Sequence, residues 1–124
     1  MRFATIVLTA AVSCAAIAPA VAGPTRLSDT QFIAANRCLG LLSSKSLGTQ
    51  DAAAMRQLIK DQSWGRDSFV YDKADEARDT GLRDASRGGA EGNLNLTAER
   101  DGVCHSFVAS QTTAAGPAPS RNLQ

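Results

Sequence analysis

The apolar positions of this chain recur mainly with the 3.6-residue period of an α-helix. In the first such segment they fall on one half of a helix: Phe32, Ala35, Cys38, Leu39, Leu41 and Leu42. Ser28 is placed to cap this helix, and Gln31, three residues later, completes a capping box. The pattern therefore predicts a helix that begins at Ser28 and ends near Ser43, with Cys38 on its core face.

Two further helices are predicted before the next cluster of glycines. The second follows Thr49 as N-cap, carries Met55 and Leu58 on one face, and stops at Gly65. The third is capped by Asp67 or Ser68, and small residues dominate its core stripe, which consists of Val70, Ala74, Ala77, Gly81 and Ala85. Small side chains bury little apolar area, so we expect this helix to approach a neighbouring helix closely.

Gly88, Gly89 and Gly92 predict a break after the third helix. A fourth helix is then expected to begin near Asn95 or Thr97, with one face made of Leu96, Val103, Cys104, Phe107 and Val108. The alternative is one long third helix that bends at the glycines. Residues 111–124 are proline-containing and lack apolar periodicity, which predicts a disordered tail after a helical domain at 23–110. The fold class predicted is all-α, a small three- or four-helix bundle.

Residues 1–22 are typical of a secretory signal peptide. Arg2 supplies the positive start, residues 6–12 are the densest apolar stretch, and Ala20-Val21-Ala22 fits a cleavage site. The alternative is lipid attachment at Cys14, but the residues before it lack the leucine usual in a lipobox. We therefore expect a mature chain that begins at Gly23 and is periplasmic or secreted, with no stable membrane anchor.

Cleavage would leave two cysteines, Cys38 and Cys104, in an oxidising compartment. They allow a single intrachain disulfide, which would stabilise the fold by about 4 kcal/mol in the chain-entropy model. The alternative is a thiol-redox pair, which usually has the spacing Cys-x-x-Cys, whereas these two lie 66 positions apart. The sequence favours a structural bridge.

The charge balance excludes some classes of partner. Of thirteen basic residues Arg2 leaves with the signal peptide, so twelve remain against twelve acidic residues. A formally neutral chain without a run of like charge has no electrostatic footprint for nucleic acid or for an anionic lipid surface. A protein of the cell envelope is the expected partner.

His105 follows Cys104 directly, which raises the hypothesis of a Cys–His catalytic pair or a metal site. Neighbours on a helix point about 100° apart, so this adjacency is poor geometry for a nucleophile and its base. No motif supplies further metal ligands, a nucleotide-binding loop or a haem attachment site. We therefore predict no catalytic residue, no metal and no cofactor.

Arg78 and Arg100 both fall inside stripes that otherwise face the core. One interpretation is that their stems cover apolar surface while the guanidinium groups pair with nearby carboxylates such as Asp75 or Asp101. The sharper hypothesis is that the two groups converge on an anion or on a partner's carboxylate. Ile33 and Trp64 are further candidates for contact with a partner.

In size, signal peptide and single long-range disulfide, the chain resembles the small helical acid-stress chaperones of the bacterial periplasm, although no motif matches residue by residue. This architecture and the lack of catalytic motifs favour a non-enzymatic protein-binding or envelope-stress module. A small inhibitor of one hydrolase belongs to the same class. The alternative class is a thiol-redox or other enzyme that uses Cys38, Cys104 and His105.

Overall fold

The predicted all-α bundle is confirmed by the structure, a computed structural model that describes residues 25–48 and 50–114, with side chains up to residue 111. The described residues contain no strand. In chain order the elements are α1 (Asp29–Leu42), a 3₁₀ turn (Lys45–Leu47), α2 (Ala53–Ser63), α3 (Ser68–Arg87), α4 (Ala90–Glu99), a π-helical turn (Arg100–Cys104) and α5 (His105–Ala114). The last three elements, α4, the π-helical turn and α5, follow one another directly and form one continuous helical rod. With α1, α2 and α3, the described residues therefore form four helical rods.

Helix α1 lies at the centre of the bundle and begins as its sequence predicts. The Ser28 hydroxyl accepts a hydrogen bond from the Gln31 backbone at 3.2 Å, and the Gln31 side chain accepts one from the Ser28 backbone at 2.9 Å. All six predicted core residues of α1 are buried, and so are Asn36 and Gly40. The helix is buried on more than one side because α3, α2 and the π turn all pack against it.

Helix α3 approaches α1 at backbone distance, as its small residues predict. A Cβ atom added to Gly40 of α1 would lie 2.2 Å from the Arg78 carbonyl oxygen. A Cβ atom on Gly81 of α3 would lie 2.7 Å from the Arg37 carbonyl oxygen. Both distances are shorter than atomic contact allows, so the two helices pack this closely only because each has a glycine at the crossing.

The start of α2 was predicted wrongly. The helix begins at Ala53, later than the predicted cap at Thr49 implies, and Thr49 itself lies outside the described residues. The Asp51 carboxylate accepts a hydrogen bond from the Ala53 backbone at 2.8 Å and so satisfies a donor that the first turn leaves unpaired. The predicted end is confirmed, since Gly65 follows α2 with a φ of +69°, a conformation that glycine adopts without strain.

The break between α3 and α4 lies at Gly88 and Gly89, so the alternative of one long bent helix is wrong. A Cβ atom on Gly88 would lie 2.5 Å from the Asn93 side-chain oxygen and 3.2 Å from the Asp84 carbonyl oxygen, so the junction leaves little room for a side chain. The predicted start of the fourth helix near Asn95 or Thr97 is also wrong, because α4 begins at Ala90 and includes Gly92. A glycine near a helix start costs little enough for the surrounding turn to remain helical.

The predicted disulfide is present between Cys38 of α1 and Cys104 of the π turn. Both residues are buried, with 2% and 0% of their surface exposed. The bridge sits in the main core cluster beside Leu41, Leu42 and Met55. It therefore fastens the last rod to the central helix.

The chain remains helical to Ala114, four residues past the predicted end of the domain at residue 110. No proline or glycine interrupts residues 111–114, and Pro117 comes only later. The predicted signal peptide at 1–22 and the rest of the predicted tail, 115–124, lie outside the described residues. Within the part that is described, no helix has the length and apolar character needed to cross a membrane.

Candidate functional site

A cleft of about 220 Å³ opens between the first turn of α2 and the junction of the π turn with α5. Four elements and the loop before α2 contribute to its lining: Leu42, Gln50, Asp51, Ala54, Met55, Arg100, Asp101, Cys104, His105 and Val108. Leu42, Met55 and Cys104 are buried and form an apolar floor. Gln50, Asp51, Asp101 and His105 are exposed at the rim, so the cleft combines an apolar base with a polar, charged edge.

The π turn determines which residues of the last rod face this cleft. Arg100 and Cys104 are both buried, whereas Val103, predicted to lie on the core face, is 56% exposed. A π turn holds more residues than an α turn, so it changes the register in which side chains meet the core. The predicted place of Val103 is therefore wrong, and Leu96, Phe107 and Val108 are only partly buried.

Arg100 holds the loop that forms one side of the cleft. Its Nη1 atom donates to the carbonyl oxygens of Leu47 at 2.6 Å and Gly48 at 3.1 Å. Its Nε and Nη2 atoms donate to the two carboxylate oxygens of Asp101, at 2.8 and 3.4 Å. The guanidinium group thus fixes the chain just before Gln50 and Asp51.

Asp101 connects this clamp to the cleft rim. Its Oδ1 atom also accepts a hydrogen bond from Gln50 at 3.1 Å. The hydrogen bond from Arg100, followed by that from Gln50, outweighs the effect of burial and lowers the pKa of the Asp101 carboxyl from its ordinary value of 3.8. A carboxyl whose pKa is lowered by folding stabilises the native state above about pH 4 and loses this effect as the pH falls through the folded-state pKa.

We expect the variant Asp101→Asn to be less stable than the wild type at pH 7 and to lose less stability on acidification. The amide keeps a hydrogen-bond acceptor for Arg100 but has no charge to protonate, so the clamp no longer responds to pH. Thermal unfolding followed by circular dichroism between pH 7 and pH 2 measures the effect. Parallel melting curves of variant and wild type across this range would contradict the role given to Asp101.

Cys104 and His105 do not form a reactive pair. The Cys104 sulfur is in the disulfide and fully buried, while His105 is exposed at the cleft rim. A nucleophile needs a free thiolate within hydrogen-bond reach of its base. The side chains beside the cleft therefore offer recognition groups and no thiol nucleophile.

The structure does not bring Arg78 and Arg100 into one site. Arg78 lies on α3 and pairs with Asp75 at 3.1 Å, so each guanidinium group has its own carboxylate partner. Ile33 is partly buried against the cluster of Phe32, Val70 and Ala74.

Trp64 is the more accessible of the two residues predicted as partner contacts. It is 71% exposed at the end of α2. One face of its ring is covered by the guanidinium group of Arg26, whose carbon lies 4.6 Å from the ring centre. Arg26 also donates a hydrogen bond to the Trp64 carbonyl oxygen at 2.8 Å, so this aromatic group is held in place at the surface.

Two arginines that the sequence pattern did not single out connect distant parts of the chain. Arg37 of α1 donates to Asp84 of α3 and to Glu99 of α4, each at 2.8 Å, and thereby joins three helices. The hydrogen bond to Glu99 raises the pKa of Arg37, although partial burial acts in the opposite direction. Arg66 lies over the Phe32 ring at 4.3 Å and donates to the Leu27 carbonyl oxygen at 2.7 Å. These contacts join residues far apart in sequence, so no local spacing signals them.

No group of three or more histidine, cysteine, aspartate or glutamate side chains placed to hold a metal ion occurs among the described residues. Comparison with known proteins adds no identity, because no family model, curated protein or solved structure matches the chain.

Proposed function

We propose that the protein is a non-enzymatic binding module of the bacterial envelope, exported by its signal peptide, that holds a side chain of another envelope protein in the cleft. The observation that carries the proposal is the cleft itself, with an apolar floor of Leu42 and Met55 beneath a polar rim. Binding sites commonly combine apolar walls with a few polar groups that fix orientation.

The size of the cleft supports a side chain as occupant. Apolar cavities of about 150 Å³ hold a benzene molecule, and pockets for larger organic ligands begin at about 300 Å³. The cleft, at about 220 Å³, lies between these values. It therefore suits one leucine-, methionine- or phenylalanine-sized group.

The alternative, a thiol-redox enzyme using Cys38, Cys104 and His105, has less support. A redox-active disulfide must be attacked by a thiolate from solvent, and both cysteines here are buried. The clamp around Arg100 includes the Asp101 carboxylate, whose pKa is lowered by the hydrogen bond from Arg100, so acid should weaken this clamp. An envelope-stress role in which acid loosens the loop beside the cleft would be a further form of the same non-enzymatic binding function.

Blocking the cleft tests the proposal. Ala54 is exposed on α2 and lines the cleft, so a tryptophan at this position fills it without entering the core. We expect Ala54→Trp to reduce recovery of the partner at least tenfold when tagged full-length chain is purified from the envelope of its native host. Quantitative mass spectrometry of the co-purified proteins measures the loss.

Ala53→Trp is the matched control, since Ala53 is also exposed on α2 but does not line the cleft. The control should recover the partner as the wild type does. The intact mass of the purified wild-type chain should begin at Gly23 and be two hydrogens lighter than the reduced form. Equal recovery by both tryptophan variants, or no stoichiometric partner of the wild type, would refute the proposal.

A further inference from the structure

The charged groups that line the cleft are not equally available to a ligand. Arg100 is only 6% exposed, and its N–H groups are engaged by the carbonyl oxygens of Leu47 and Gly48 and by the Asp101 carboxylate. Asp51 and Asp101, in contrast, are exposed at the rim. The Arg100 guanidinium group is therefore engaged within the protein by the loop at Leu47 and Gly48. The carboxylates of Asp51 and Asp101 are the charged groups that a ligand can reach.

Asp51 retains binding capacity. Its Oδ1 atom accepts the Ala53 N–H at 2.8 Å, while Oδ2 has no hydrogen-bond partner among the described residues. The carboxylates of Asp51 and Asp101 and the guanidinium group of Arg100 give the lining a formal charge of −1 in a count of acidic against basic residues that leaves histidine out. An occupant that carries a positive charge beside its apolar group would complement this rim.

We infer that the occupant of the cleft is an apolar side chain directly next to a lysine or arginine in the partner polypeptide. The apolar side chain contacts Leu42, Met55 and Val108, and the cation lies beside Asp51 and Asp101 at the rim. This inference rests on the proposed function, because it specifies what the same cleft binds.

Three small probes separate the apolar contribution from the charge: 3-methylbutylammonium, 3-methylbutanol and 4-methylpentanoate. They share the same branched 3-methylbutyl tail, which is close to leucine in size, and differ in the charge of the head group attached to it. Each is titrated at pH 7.5 and low salt into the ¹⁵N-labelled, disulfide-bonded mature protein. Amide chemical shifts of Ala54, Met55 and Val108 report binding in the cleft.

We expect the ammonium probe to bind the cleft about three- to tenfold more tightly than the alcohol, and the carboxylate to bind most weakly. One unit charge at about 6 Å gives a factor of this size at an effective dielectric constant of about 40 to 80. Added salt should reduce the preference. Asp51→Asn, which keeps an acceptor for the Ala53 N–H, should bring the ammonium and alcohol probes to similar affinity.

The matched control is Asp61→Asn, an exposed carboxylate on α2 that does not line the cleft. It should leave the order of the three probes unchanged. Binding of all three probes in the cleft with equal affinity, or tightest binding of the carboxylate, would overturn the cationic ligand class and leave the proposed function standing. If none of the three shifts the cleft amides, both this inference and the cleft-based function fail.

Discussion

Replacement of Gly40 by alanine is expected to lower the free energy of unfolding by about 3 kcal/mol or more. The added Cβ would lie 2.2 Å from the Arg78 carbonyl oxygen and 3.1 Å from its carbonyl carbon. These are backbone atoms of α3, which no rotamer change can move, so α1 and α3 would have to separate. Overpacking of a tight core costs about 1–3 kcal/mol, and the cost rises when backbone must shift.

Urea unfolding followed by circular dichroism measures this loss, and the chain offers a matched control. Gly92 is also helical, but a Cβ atom added there meets nothing within 4 Å. Gly92→Ala should therefore stabilise the protein by up to about 1 kcal/mol through helix propensity. A Gly40→Ala variant within about 1 kcal/mol of the wild type would contradict the close packing of α1 and α3.

Removal of the disulfide in the double variant Cys38→Ala/Cys104→Ala should lower the free energy of unfolding by about 4 kcal/mol. The bridge closes a loop between residues 66 positions apart, which restricts the unfolded chain strongly. Small domains have total stabilities of about 5–15 kcal/mol, so the variant should be at most marginally folded at 37 °C. Urea unfolding of the variant and of the oxidised wild type measures the difference.

Reduction kinetics provide the control for this account of the bridge. Because both cysteines are buried, dithiothreitol should reduce the wild-type disulfide only as fast as the protein opens. Urea should therefore accelerate reduction in parallel with unfolding. Fast reduction of the folded protein in the absence of urea would contradict a structural role and favour the thiol-redox alternative.

The features that the sequence predicted correctly depend on local chemistry or on a forced choice. The capping box of Ser28 and Gln31 lies within a single helical turn, so its residue types indicate its geometry directly. The disulfide followed because export would leave only two cysteines to pair. The small residues around Gly81 predicted a close approach because helices can come this near only where side chains are absent or short.

The boundaries that were predicted wrongly lie where two nearby residues could each mark the start or the end of a helix. Thr49 and Asp51 are both good capping residues, but α2 begins at Ala53 with Ala52 as its N-cap, and the Asp51 carboxylate accepts the Ala53 N–H from one position earlier. Gly92 looks like part of the break, but the junction is already complete at Gly88 and Gly89. No sequence pattern marks the π turn, so the exposed position of Val103 could not be predicted from the sequence.

The cleft itself was not predictable from the sequence. Its lining comes from α1, the loop before α2, α2, the π turn and α5, and only the packing of these elements brings them together. Arg100 was singled out because a charged residue interrupts an apolar stripe, but its partners at Leu47 and Gly48 lie more than fifty residues away. The structure therefore assigns it to holding the rim of the cleft.

Site-specific photo-cross-linking in living cells of the native host tests the central claim most directly. A benzophenone amino acid is placed at His105, which is exposed at the rim of the cleft, and at Ala53 and Phe69, which are exposed outside the cleft. We predict one discrete protein adduct from position 105 only, attached at or beside an apolar residue that has a lysine or arginine next to it. An adduct from position 53 or 69 with none from position 105 would contradict the claim that the cleft is the binding site.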